Sequence, residues 1–107
     1  MTDEEVVMQL IVPAGNAKAH AIQAIAAARA GEFERAEELL AAADEAIVEA
    51  HEHQSDEIRA LLNGAEHESV SLIMVHGQDH IMNAITTIDL AKQIVALVRD
   101  GVPQHGA

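Results

Sequence analysis

The chain has no cysteine, no tryptophan and no tyrosine, and a single phenylalanine. Without cysteine there is no disulfide framework and no thiolate to act as nucleophile or ligand. Cations are scarce: 6 Lys and Arg stand against 18 Asp and Glu, a formal charge of -12. Such a surface repels nucleic acid and anionic membranes, and suits a basic partner or a cation. The N-terminus, Met1-Thr2-Asp3-Glu4-Glu5, is acidic where a secretory signal would be basic. No apolar run approaches the length that spans a bilayer. No Gly-rich, Lys-containing nucleotide loop is present. These absences predict a soluble cytoplasmic protein that neither enters a membrane nor binds nucleic acid.

What remains is half apolar and rich in alanine over 107 residues. That composition predicts an all-α chain with one domain, residues 1–107. Thr2 or Asp3 caps a first helix over about residues 3–30, with Val6, Val7, Leu10 and Ile11 as its opening stripe. Pro13 removes an amide and predicts a kink or break between Val12 and Gly15. The stripe resumes through Ala17, Ala21, Ile22, Ile25, Ala26 and Ala28, and stops near Gly31. Glu32 and Phe33 link to a second helix, about 34–62. Its apolar stripe is Ala36, Leu39, Leu40, Ala43, Ile47, Ala50, Ile58, Leu61 and Leu62. Its other face is acidic, from Glu34 to Glu52, and reads as a solvated surface. Asn63-Gly64 ends it. A third helix covers about 66–99, and the tail 100–107 frays. Short links predict an antiparallel up-down-up subunit.

The third helix is apolar over more than one face: Ile85, Ile88, Leu90, Ala91, Ile94, Val95, Leu97 and Val98 go most of the way round it. Such a helix is buried by more than two neighbours. A three-helix chain must find those neighbours in other subunits, so an oligomer with this helix at its centre is expected.

Set into that helix is a polar stripe. His76, Asp79, His80 and Asn83 stand three, four and seven positions apart, on one face. Three readings compete. Satisfied core polar groups could fix helix register. His76 and His80, one turn apart with Asp79 between, could begin a metal site, with a further ligand from His51, His53 or another subunit. The zinc-protease pattern is not met, because Gly77 stands where its Glu belongs. Carboxylates of Asp79 brought together at an oligomer axis would hold a proton or share a cation. Third, one histidine could carry a group, since neutral imidazole is a good nucleophile near physiological pH. Gly77 then leaves room beside His76, while Gln78 and His80 supply donors for phosphate oxygens. With no nucleotide loop, the phosphate would come from another protein.

Val75-His76-Gly77-Gln78-Asp79-His80-Ile81-Met82 resembles the VHAQDHLM signature of the lactose/cellobiose (diacetylchitobiose) class of enzyme IIA in the sugar phosphotransferase system. The likeness extends, in order, to Ile11-Val12-Pro13-Ala14-Gly15-Asn16-Ala17, to Ala30-Gly31-Glu32-Phe33-Glu34, and to Ala50-His51-Glu52-His53-Gln54-Ser55. It covers roughly residues 4 to 98. The resemblance implies a homotrimer with the third helices about the axis. It implies that His76 accepts phosphate from the phosphocarrier HPr and passes it to a cognate enzyme IIB, serving uptake of a lactose/cellobiose-type sugar. Gln78 and His80 would support the phosphorylated ring, partly across the subunit boundary. Asp79 would lie near the axis and hold a divalent cation, magnesium being expected; no organic cofactor is implied. His51 would lie near a neighbouring subunit's site. The chain departs from the pattern at Gly77, where the family has alanine, and at Pro13, where it commonly has glycine. The alternatives are a IIA-like regulatory module and a metal-bound structural trimer.

Overall fold

The computed structural model describes residues 1–64 and 71–101, all of their regular structure helical and without a strand. Thr2 begins it. Its hydroxyl accepts from the Glu5 backbone N–H and its own N–H donates to the Glu5 carboxylate, at 3.1 and 3.0 Å. This capping box satisfies two amides that a helix start leaves unpaired. The Thr2 backbone N–H, and after it the Thr2 side chain, hold the Glu5 carboxyl below its ordinary range.

Helix α1 (Asp3–Val6) runs into a π turn (Val7–Ile11) and then α2 (Val12–Arg29) without a break. Of the kink or break predicted between Val12 and Gly15, the break does not occur: the chain stays helical, and the wider turn stands just before Pro13. A proline in a helix clashes with the carbonyl four residues back. For Pro13 that residue is Gln9, at the middle of the π turn, where the spiral is loosest. Strain is thus absorbed without ending the helix. Gly31 then closes α2: with φ of 80° its N–H reaches the Ala28 carbonyl, and the Glu32 N–H reaches that of Ala27. This is the two-bond stop for which a left-handed glycine is the best residue.

Helix α3 (Phe33–Leu62) starts one residue before the predicted position and ends at Asn63 and Gly64 as expected. Helix α4 (Leu72–Asp100) starts later than predicted. Ser71 is extended and caps it, accepting from the Met74 N–H, so the helix does not continue back through Ser71. The predicted start at 66 and residues 102–107 of the predicted frayed tail 100–107 lie outside the described residues, while Asp100 is still helical.

The core is unusually small in its side chains. α2 contributes Ala14, Ala17, Ala21, Ala24, Ala27 and Ala28, packing against both α3 and α4. Small residues bring helix axes close. Ile22, which the sequence pattern placed in the core stripe, is 51% exposed, and Ile58, Leu61 and Leu62 of the expected α3 stripe are exposed as well. Ion pairs Lys92–Asp44 and Arg99–Glu37 tie α4 to α3 along its acidic face.

Helix α4 corrects one expectation. It is long and apolar enough to cross a membrane by length and composition alone. The polar residues that interrupt its apolar run are too few to change that. A bundle's central helix passes the same test.

Candidate functional site

The polar stripe lies on α4 away from the protomer core. Ile81, Ala84, Ile88, Ala91 and Val95 define the buried side, while His76, Asp79 and Asn83 are exposed and His80 is partly covered. Register-fixing inside the subunit is therefore not their task. His76 and His80 are one turn apart. Their Nε2 atoms stand 3.1 Å apart, and their rings meet edge to face with centroids at 4.4 Å. One ring donates its proton to the lone pair of the other, which fixes tautomers for both.

Gln78 stands two positions from His76 and faces the other flank of α4. Its carbonyl accepts from Gln54 Nε2 at 2.7 Å, and Gln54 also reaches Met82 Sδ at 3.4 Å. The Gln78 amide nitrogen faces Met74 Sδ at 3.6 Å. Gln54, on α3, is the one buried polar side chain among the described residues. The sequence held it within the Ala50-to-Ser55 segment but gave it no role, because its partner is 24 positions away.

Gly77 is buried, and the space beside it is not open to a ligand. A Cβ there would stand 2.8 Å from Val6 Cγ1 and 3.3 Å from Leu10 Cδ1. The close approach inferred from this glycine exists, but the first helix makes it. That contact sets the start of α1 beside α4, and a shallow depression next to His76 is lined by Asp3, Ser71, Leu72 and Ile73.

Asp79 has no hydrogen bond or ion pair among the described residues, and no three His, Asp or Glu side chains there converge as a metal site. One chain offers a cation the single Asp79 carboxylate, so its donors suffice for an ion only when several copies meet. His51 is exposed and His53 lies 3.7 Å from Glu49, so neither joins His76 and His80 within the subunit.

A helical bundle that presents an exposed imidazole backed by a partly covered one, with no nucleotide loop in its sequence, has the make-up of a protein that handles a group brought by another protein. The family described as "PTS system, Lactose/Cellobiose specific IIA subunit" matches residues 5–99. The chain belongs to that family. It is 51% identical over 90 residues to the cellobiose-specific EIIA component of Lactococcus lactis subsp. lactis, covering 84% of this chain and 77% of that protein. The cellobiose-specific enzyme IIA of Bacillus anthracis has the same fold, with a TM-score of 0.84 and 38% identity over 94% of this chain and 91% of that one. The chitobiose IIA of Escherichia coli, solved in complex with HPr, superposes with a TM-score of 0.75 and 32% identity, over 94% and 96% of the two chains.

Proposed function

We propose that this chain is the phosphoryl carrier of a lactose/cellobiose-type sugar uptake system, with His76 as the acceptor. The observation that carries the reading is the exposed His76 ring held 3.1 Å from His80. A carrier must be reachable by two proteins in turn, and must keep one nitrogen unprotonated. With His80 as donor, its Nε2–H keeps a lone pair on His76 Nε2. That nitrogen attacks the phosphorus of an incoming phosphohistidine. A new N–P bond forms, the old one breaks, and its electron pair returns to the donor's ring. For that attack His80 first turns its N–H from the His76 lone pair to an oxygen of the incoming phosphoryl group.

HPr is the proposed donor and an enzyme IIB the proposed acceptor, in the cytoplasm. The chitobiose relative's complex with HPr supports the first. The many acidic side chains suit a basic docking surface.

The working unit in this reading is a homotrimer of up-down-up subunits with α4 about the axis. Two features support it. Cross-helix contacts run in opposite order along α3 and α4: Gln54 with Gln78, Asp44 with Lys92, Glu37 with Arg99. And α4 exposes Leu72, Val75, Leu90, Ile94, Leu97 and Val98, an apolar face that a water-soluble chain covers by association. Asp79 is on that face, where three copies would share a divalent cation, magnesium in this reading.

The test is direct. Incubation with phosphoenolpyruvate, enzyme I and HPr, followed by intact-mass measurement, is expected to add one acid-labile phosphoryl group per chain. No addition, with HPr active on another acceptor, overturns the reading. The chain lacks Trp and Tyr, so mass is a better readout than absorbance or fluorescence.

A further inference from the structure

Gln54 is buried, polar and on a different helix from the histidines, and the reading above does not use it. A buried amide that merely fills space needs partners of any polarity. This one imposes a polarity. Both hydrogen bonds it makes are donated by Nε2, to Gln78 Oε1 at 2.7 Å and to Met82 Sδ at 3.4 Å. The Gln78 carbonyl is thereby committed to α3. The Gln78 NH2 end is left with Met74 Sδ at 3.6 Å, a weak acceptor. Gln78 therefore presents a donor whose capacity is nearly unused, which is what an anionic oxygen needs.

The oxygen in question is not beside His76 of the same chain, because positions two apart on a helix do not share a face. In a cyclic trimer each contact is heterologous, so the flank of one subunit meets the opposite flank of the next. With Asp79 toward the axis, His76 lies on one side of it and Gln78 on the other. One subunit's histidine flank then meets its neighbour's Gln78 flank. We propose that Gln54 is a positioning residue for phosphoryl transfer: it fixes the Gln78 amide with its NH2 outward, to donate to the phosphoryl group on a neighbouring subunit's His76. This rests on the carrier reading.

Gln54→Glu tests it. An ionised carboxylate there only accepts, so Gln78 must turn its NH2 inward and offer its carbonyl to the phosphoryl group. A protonated carboxyl restores the donor. The rate of phosphoryl uptake from HPr, taken as the ratio of variant to wild type, is expected to be near one at low pH. It falls by roughly ten- to a hundredfold as the introduced carboxyl ionises, the range of one hydrogen bond to a charged group. A ratio that stays near one, or a loss that does not vary with pH, overturns the proposal, since those are the patterns that space-filling alone would give. Gln78→Glu is the second variant. It keeps the bond from Gln54 and replaces the outward donor with a carboxylate oxygen that only accepts, so unchanged uptake overturns the proposal even if Gln54→Glu does not fold. A wild-type chain that takes no phosphoryl group would defeat the carrier reading itself; a wild-type chain that does, with variants to match it, defeats only this inference.

Discussion

Replacing His76 with alanine is expected to abolish phosphoryl acceptance and to leave the fold as stable as before. His76 is exposed and contributes no core contact, and surface substitutions of that kind stay within about 0.5 kcal/mol. Alanine is also the better helix former. The loss of acceptance is complete because no other side chain in the stripe takes over the attack: Asp79 is an exposed carboxylate without a partner among the described residues, and His80 is partly covered. His80→Ala behaves differently. It removes one donor to the phosphoryl group and the tautomer lock on His76, but leaves the attacking nitrogen. Uptake slows by roughly ten- to a hundredfold and still reaches one group per chain. Intact mass at long times separates the two variants, and thermal unfolding by circular dichroism checks the fold. If His80→Ala abolishes uptake and His76→Ala only slows it, the two rings exchange roles.

The candidate site was legible in the sequence as a polar stripe because its members lie within one local run. His76, Asp79, His80 and Asn83 share a helix face by spacing alone, and the fold puts that face outside the subunit core. Helix ends were equally local: Gly31 and Gly101 have positive φ, and Asn63-Gly64 closes α3. What escaped was everything decided by a neighbour. A bulky residue such as Ile22 scores as core in any pattern of hydrophobicity, yet α2 turns its alanines inward because close helix packing rewards small side chains. Pro13 predicted a kink or a break, and the break does not occur, because a proline's clash is with a carbonyl and a π turn moves that carbonyl aside. Gln54 had no visible purpose until α4 came to lie across from it. Each of these depends on residues far along the chain, which a periodicity cannot show.

Gly77 combines the two kinds of information, and its substitution gives a result whose sign depends on a residue 71 positions away. The family pattern has alanine at this place. A glycine inside a helix costs about 1 kcal/mol relative to alanine, so Gly77→Ala by propensity alone would stabilise the chain. The added Cβ would stand 2.8 Å from Val6 Cγ1, a contact that must give way. Val6 is fully buried and β-branched, with a stiff side chain, and Leu10 closes the other side at 3.3 Å. Overpacking of a filled core costs about 1–3 kcal/mol, so the clash outweighs the propensity gain. Gly77→Ala in the wild-type background is therefore expected to lower the unfolding midpoint. Val6→Ala alone also lowers it, by opening a cavity. In the Val6→Ala background the same Gly77→Ala change raises it, adding up to about 1 kcal/mol of stability, because the methyl group now fills space that valine has left. The four chains form a double-mutant cycle, measured by denaturant unfolding at one protein concentration. Additive effects would mean that α1 yields at no cost and that Gly77 is not what seats it. A reversal of sign ties the start of the first helix, and with it Asp3 at the edge of the His76 depression, to a single missing methyl group on the helix that carries the histidines.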